Sequence, residues 1–164
     1  LKDGEVELLL AEDYLAAKVG SDIVITRIID ESFPNYETVI PKENNKRLIV
    51  EKNLLLGAIK RVSIFSNKST HQVALSLSSE SCKITTEDPE KSSKAQEKIA
   101  ATYEGDPIVI GYNAEYLKDV VSHIDGEDIA IDLSSPVSAA LFSSMQSDEK
   151  VESIMLLMPI RLND

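Results

Sequence analysis

Residues able to do chemistry are few in this chain. In 164 residues there are two histidines, His71 and His123, and one cysteine, Cys82. Zinc centres need three or four Cys, His or carboxylate ligands at close spacing. Neither histidine has the cysteine or the other histidine nearby, and both read as satisfied or solvent-facing side chains on a strand and near a helix end. Serine is abundant (Ser76, Ser78, Ser79, Ser81, Ser134, Ser135, Ser143, Ser144). None sits in the GxSxG turn that exposes a nucleophile. Neither GxGxxG nor GxxxxGK[ST] occurs, so no glycine-rich loop is available to cradle a phosphate. The densest carboxylate cluster is Asp125, Glu127 and Asp128. It lacks the periodic oxygen ligands of a calcium loop. A hydrolase built on these carboxylates would have no base, nucleophile or metal around it, and the cluster reads as a solvated turn. Cys82 reads as a small buried hydrophobe. The expectation is no catalytic residue, no metal and no cofactor, which points to binding or scaffolding.

Length and composition set the frame for that role. At roughly 100–200 residues per domain, the chain is one domain, or one domain and a piece of another. Apolar residues make up 43% and charged residues 27%, ordinary for a globular protein and too apolar for a disordered one. No apolar run approaches a membrane span. The start, Leu1-Lys2-Asp3-Gly4, has neither an initiator Met nor a basic and apolar leader. With one cysteine, a cytoplasmic protein fits, and the chain reads as trimmed. The net charge is −11, yet basic residues outnumber acidic ones by seven to three over 41–80. That island holds Lys42, Lys46, Arg47, Lys52, Lys60, Arg61 and Lys68. A bulk charge of this sign argues against indiscriminate nucleic-acid binding. It allows a protein with one basic surface and another acidic one.

Period-2 alternation predicts strands at 6–10, 14–19 and 22–29. Phe33-Pro34-Asn35-Tyr36 breaks the pattern, and 41–46 reads as a linker. A strand at 47–51 and a helix over 53–66 follow, then strands at 71–78, 82–87 and 96–103. The polar run 89–94 separates the last two as a mobile stretch. The order then recurs: a strand at 107–111, a helix over 113–124, a turn at Asp125-Gly126, and strands at 127–133, 137–143 and 150–158. Residues 47–103 and 107–158 both read βαβββ, the mark of a duplicated unit. Aligning Ile49-Val50-Glu51-Lys52-Asn53 with Val109-Ile110-Gly111-Tyr112-Asn113 puts an asparagine at each helix N-cap. The apolar stripes are Leu55, Ala58, Ile59 and Val62 in the first helix and Leu117, Val120, Val121 and Ile124 in the second. Asn53, Gly57, Lys60 and Arg61 form the first helix's polar face, where Ile64 also falls, and Phe65 lies at the stripe's edge. Together these two are a hint of a contact surface. The expected class is α+β, with two helices packed on antiparallel sheets and preceded by the last strands of another domain.

Four segments together resemble the bacterial sliding-clamp family, the beta subunit of DNA polymerase III. They are Phe33-Pro34-Asn35-Tyr36, the helix end Ile64-Phe65-Ser66-Asn67, Ile110-Gly111-Tyr112-Asn113 with Tyr116, and Met158-Pro159-Ile160-Arg161-Leu162. The resemblance implies a DNA-clamp fold. Residues 1–40 would be the closing strands of a middle domain, 41–46 the linker, and 47–164 a complete third domain. It implies a non-catalytic processivity factor of the polymerase III holoenzyme, a head-to-tail homodimeric ring around duplex DNA when full length. A β-rich adaptor without DNA function is the other binding reading.

The resemblance also implies roles for residues. Lys60, Arg61 and Lys118 would face DNA from the helices, with Lys42, Lys46, Arg47 and Lys68 near them, in sequence-independent, salt-sensitive contacts. Ile64 and Phe65 would meet the neighbouring subunit. Partners, among them the polymerase alpha subunit, the clamp loader and other proteins with a clamp-binding motif, would dock a glutamine-led apolar peptide. The pocket walls would be Pro34, Val39, Asn113, Tyr116, Val137, Ala139, Leu156, Met158, Pro159, Ile160 and Arg161. Thr38 and Thr70 stand where relatives often carry an arginine and an aromatic residue, and Lys91, Lys94 and Lys98 interrupt a segment that is often acidic.

Overall fold

The computed structural model describes residues 5–146 and 153–162. They fall into two compact units, divided between Tyr36 and Glu37. The first is an antiparallel meander of β1 (Glu7–Leu10), β2 (Tyr14–Val19) and β3 (Asp22–Arg27). Strand β3 ends at Arg27, short of the expected 29: its partner β2 starts at Tyr14, and one further bond in register runs from the Ile28 N–H to the Asp13 carbonyl at 2.8 Å. Among its described residues this unit buries no side chain, and Leu8, Leu10, Ile23 and Ile25 all stand exposed.

The second unit is built from two interleaved copies of a βαβββ repeat. The first copy is β4 (Lys46–Glu51), α1 (Lys52–Ser63), β5 (Gln72–Ser78), β6 (Ser81–Asp88) and β7 (Ser93–Ala100). After β8 (Thr102–Glu104) comes the second copy: β9 (Ile108–Asn113), α2 (Ala114–His123), β10 (Asp128–Leu133), β11 (Ala140–Ser144) and β12 (Ile154–Leu157). Each copy lends its first strand to the other copy's sheet. Strand β9 joins β5 in the sheet β7-β6-β5-β9, and β4 joins β10 in the sheet β12-β11-β10-β4-β8. All pairings are antiparallel. Each helix therefore carries the chain from one sheet to the other, and the two helices pack together over a shared core.

That core includes Leu48, Leu55, Ile59, Leu75, Ile84, Ile110, Tyr112, Leu117, Val121, Ile131 and Phe142. Burying each large apolar side chain contributes about 1.5–3 kcal/mol. Tyr112 and Phe142 meet edge to face at 6.3 Å. Both apolar stripes face inward as their spacing requires. No helix among the described residues is long and apolar enough to cross a membrane.

Several boundaries differ from the sequence reading. Asn53 is not a cap: Glu51 holds that position in an extended conformation with no side-chain cap bond. The ladder between β4 and β10 runs through Glu51 opposite Asp128, so α1 starts at Lys52, where pairing stops. It ends at Ser63, and Phe65 and Ser66 close a tight turn onto the Val62 and Ser63 carbonyls. Asn113 is a true cap, its Oδ1 accepting from the Glu115 and Tyr116 N–H groups. The expected strand 96–103 is two strands, because the chain changes sheets at Ala101 and β8 pairs with β4. The polar run 89–94 is a short 3-10 turn, Pro89–Lys91, followed directly by β7. Buried Asp88 accepts from the Glu90 N–H and from the Asn67 Nδ2 there. Strand β11 begins at Ala140 rather than 137, leaving Val137 in the loop before it. Of the expected strand 150–158, residues 150–152 lie outside the described residues.

Candidate functional site

Strand β9 alternates its side chains between the core and the opposite face of its sheet. Ile108, Ile110 and Tyr112 are buried, so Val109 and Gly111 look outward. The C-terminal segment returns along this edge: the Ile160 N–H donates to the Gly111 carbonyl at 2.9 Å. Gly111 makes that approach possible. A Cβ there would lie 2.6 Å from Leu162 Cδ2 and 2.7 Å from the Ile160 carbonyl oxygen. Both distances are closer than a side chain tolerates. The result is an open cleft of ≈ 540 Å³ lined by Val109, Gly111, Pro136, Val137, Ile160, Arg161 and Leu162. Its walls are mostly apolar, with a guanidinium at the rim.

Of the residues expected to form a pocket, Val137, Ile160 and Arg161 line this cleft together. Val137 is 57% exposed and Met158 59% exposed, neither a core strand residue. Pro159 is half-buried on the returning segment, and Leu156 is half-buried within β12, opposite Leu141. Asn113 continues β9 one turn of the pleat beyond Gly111, but its side chain is occupied by the α2 cap and by the Thr70 carbonyl. Tyr116 stands exposed on the first turn of α2. Ala139 is buried, and its carbonyl accepts from the Asn44 Nδ2. Val39 is exposed just after the 3-10 turn Tyr36–Thr38, whereas Pro34 belongs to the first unit. Val109, Gly111, Pro136 and Leu162 were missed by the sequence reading. The period-2 pattern of β9 marks Val109 and Gly111 as a pair, but not which face a returning segment would cover.

The basic candidates separate into paired and unpaired groups. Arg61 is held by Glu97 through two bonds, Nε to Oε2 at 2.9 Å and Nη2 to Oε1 at 2.6 Å. The bonded guanidinium keeps the Glu97 carboxyl below its ordinary pKa. Arg47 forms the same fork with Asp132 at 2.6 and 2.8 Å. Lys118 bonds Glu115 at 2.7 Å, and that contact, followed by nearby His71, lowers the Glu115 pKa. Lys46 donates to the Ser134 carbonyl at 2.8 Å. Among the described residues, Lys42, Lys60 and Lys68 are exposed and make no ion pair. Of the helix candidates, Lys60 alone presents an uncompensated charge.

At the end of α1, Ile64 is 77% exposed and Phe65 46% exposed. The Phe65 carbonyl accepts from Ser93 Oγ at 3.1 Å, which ties this corner to the start of the edge strand β7. Among the described residues no group of three His, Cys, Asp or Glu side chains could hold a metal ion, the Asp125–Asp128 turn included.

Residues 37–161 match the family model for the DNA polymerase III beta subunit, C-terminal domain. The beta sliding clamp of Pseudomonas putida is 32% identical over 160 residues, covering 98% of this chain and 42% of that protein. A solved DNA polymerase III subunit beta from Pseudomonas aeruginosa superposes with a TM-score of 0.87 at 32% identity, covering 98% of this chain and 43% of that one. The sliding clamp of Bartonella birtlesii, solved bound to griselimycin, gives 0.86 at 32% identity over 98% of this chain and 42% of that one. The chain thus spans less than half the length of these relatives. Its α+β architecture is the clamp fold, and the chain belongs to the DNA polymerase III beta subunit family.

Proposed function

We propose that this chain is part of a DNA replication processivity factor. In this reading the full-length protein is a sliding clamp that encircles duplex DNA. It tethers the polymerase III alpha subunit, the clamp loader and other partners by short peptides. It breaks and forms no bonds itself, and its contribution is topological. The observation that carries this reading is the apolar cleft formed where the C-terminal segment seats on Gly111. Exposed apolar side chains around a preformed groove, with a few polar groups to fix register, suit extended peptides of varied sequence. The griselimycin-bound relative supports a ligand surface on this fold, and we assign it to this cleft.

In the same reading Lys42, Lys60 and Lys68, which make no ion pair among the described residues, approach phosphates without reading bases. Ile64 and Phe65 belong to a head-to-tail homodimer contact in a cytoplasmic ring. The test is methyl NMR with a glutamine-led apolar peptide, on this chain and on the full-length protein. Shifts at Val109, Val137, Ile160 and Leu162 are expected. Silence at saturating peptide in both proteins would overturn the docking assignment.

A further inference from the structure

The outer face of the four-stranded sheet changes character strand by strand. At its β9 edge, Val109 and Gly111 floor the apolar cleft. One strand inward, Ser76 pairs with Val109 and Ala74 with Gly111, so the neighbouring side chains are small and half-buried. On the next strand Lys83 pairs with Ser76, and on the last Lys98 pairs with Lys83. Residues in register on antiparallel strands share a face. Val109, Ser76, Lys83 and Lys98 therefore form one row leading away from the cleft. At a strand spacing of about 4.8 Å, Lys83 lies roughly 10 Å and Lys98 roughly 14 Å from Val109, a reach of about three to five extended residues. A shallow trough of ≈ 270 Å³ lies beside this row and meets it at Lys83, with Ala74, Thr85, Gln96 and the Glu87–Lys94 pair in its lining.

Lys83 and Lys98 are exposed and directly opposite each other, and among the described residues neither has an ion-pair partner. Lys94 on the same face differs, being bonded to Glu87 at 3.1 Å. Like charges in register cost stability. Here the cost is carried within a chain of net charge −11, and on the sheet face that continues the cleft.

We propose that Lys83 and Lys98 extend the cleft into a second, electrostatic subsite, selecting docking peptides with acidic residues three to five positions from the apolar anchor. This rests on the docking reading above. Positive charge at the far end of an apolar groove adds specificity and on-rate.

The test uses fluorescence anisotropy on the 164-residue chain. Three labelled peptides share a glutamine-led apolar motif and carry alanines on both sides, aspartates before it, or aspartates after it. One acidic peptide is expected to bind about fivefold more tightly than the alanine peptide at low salt, an advantage that fades by about 0.5 M salt. In the Lys83→Ala/Lys98→Ala variant the advantage should vanish while the alanine peptide binds as before. Thermal stability of that variant should hold or rise, since a like-charge pair has been removed, an outcome a purely structural role would not give. Equal affinity for all three peptides would overturn the subsite and leave the docking reading standing, as would an advantage that survives in the double variant. Binding of none here would overturn the subsite, and silence of the full-length protein as well would overturn the docking reading.

Discussion

Glu51 and Asn113 occupy the same position in the two copies of the repeat. Each ends a first strand, and the following N–H crosses to the other copy: Lys52 to the Glu127 carbonyl at 2.7 Å and Ala114 to the His71 carbonyl at 2.8 Å. Leu55 then corresponds to Leu117 and Ile59 to Val121, all fully buried. The two ends nevertheless differ chemically. Asn113 caps its helix with a side-chain oxygen, while Glu51 caps nothing and faces Asp128 across the ladder.

The missing cap can be supplied. Glu51→Asn puts a short acceptor before α1 and removes a like-charge opposition, and it should raise unfolding stability by about 1 kcal/mol. Asn113→Ala should lower it by about the same amount. Urea denaturation of both variants checks the pair. A Glu51→Asn variant no more stable than the parent would mean that α1 starts without a usable cap geometry.

The same equivalence explains what could be read in advance. The stripes Leu55–Val62 and Leu117–Ile124 were legible because a helix must place apolar residues at its own period, and the βαβββ order followed from alternation and turns. The cap at Asn53 was misread because matching the short openings by similarity put Asn53 opposite Asn113. The stripes themselves align two residues differently, pairing Glu51 with Asn113. The exchange of first strands between sheets is a long-range pairing with no local signature. Of the residues lining the cleft, Ile160 and Arg161 came with the family's C-terminal motif, and Val137 only with the pocket walls that the resemblance implies. Gly111 gave its role only once Leu162 was seen above it.

Gly111 leads to the second prediction. Gly111→Ala drives a methyl into the Leu162 side chain and the Ile160 carbonyl, so the C-terminal segment must lift from β9. Overpacking of this kind costs about 1–3 kcal/mol, yet the buried faces of both sheets are untouched. Peptide affinity should fall at least about tenfold, beyond what the stability loss explains in a protein still folded at the assay temperature. Leu162→Ala in the same chain relieves one of the two clashes and should restore only part of the affinity. Unchanged binding by Gly111→Ala would show that the returning segment is not a wall of the site.

Burial sets the behaviour of the cysteine. Cys82 lies in the core, and desolvation pushes its thiol pKa up to about 12 from an ordinary value near 9. The folded thiol therefore stays neutral at pH 8 and should resist iodoacetamide until the chain unfolds. The sign of the linkage is fixed by the raised value. The stability this group contributes is present below the unfolded pKa of about 9 and is lost as pH climbs toward 12. Cys82→Ala should flatten the fall in stability over that alkaline window, at the expense of a small cavity at neutral pH. Rapid alkylation of the folded chain at pH 8 would contradict the buried placement.

The ion pairs on α1 decide which cations are free to meet phosphate. Arg61 is locked to Glu97 in a two-bond fork, whereas Lys60, its neighbour in sequence, has no ion-pair partner among the described residues. A phosphate reaching Arg61 meets a guanidinium whose charge Glu97 already offsets and two of whose donors are taken. Lys60 needs to shed only water and counterions. On full-length protein bound to circular duplex DNA, Lys60→Ala should therefore weaken retention on every sequence alike and reduce the salt slope by about 1. Arg61→Ala should do much less. Glu97→Gln keeps the side-chain shape but removes the charge and turns one of the two acceptors into an NH2 donor, so Arg61 becomes available and retention should increase at low salt. Equal losses for Lys60→Ala and Arg61→Ala, with no gain for Glu97→Gln, would mean that this pair does not govern the helix surface and that DNA is met elsewhere.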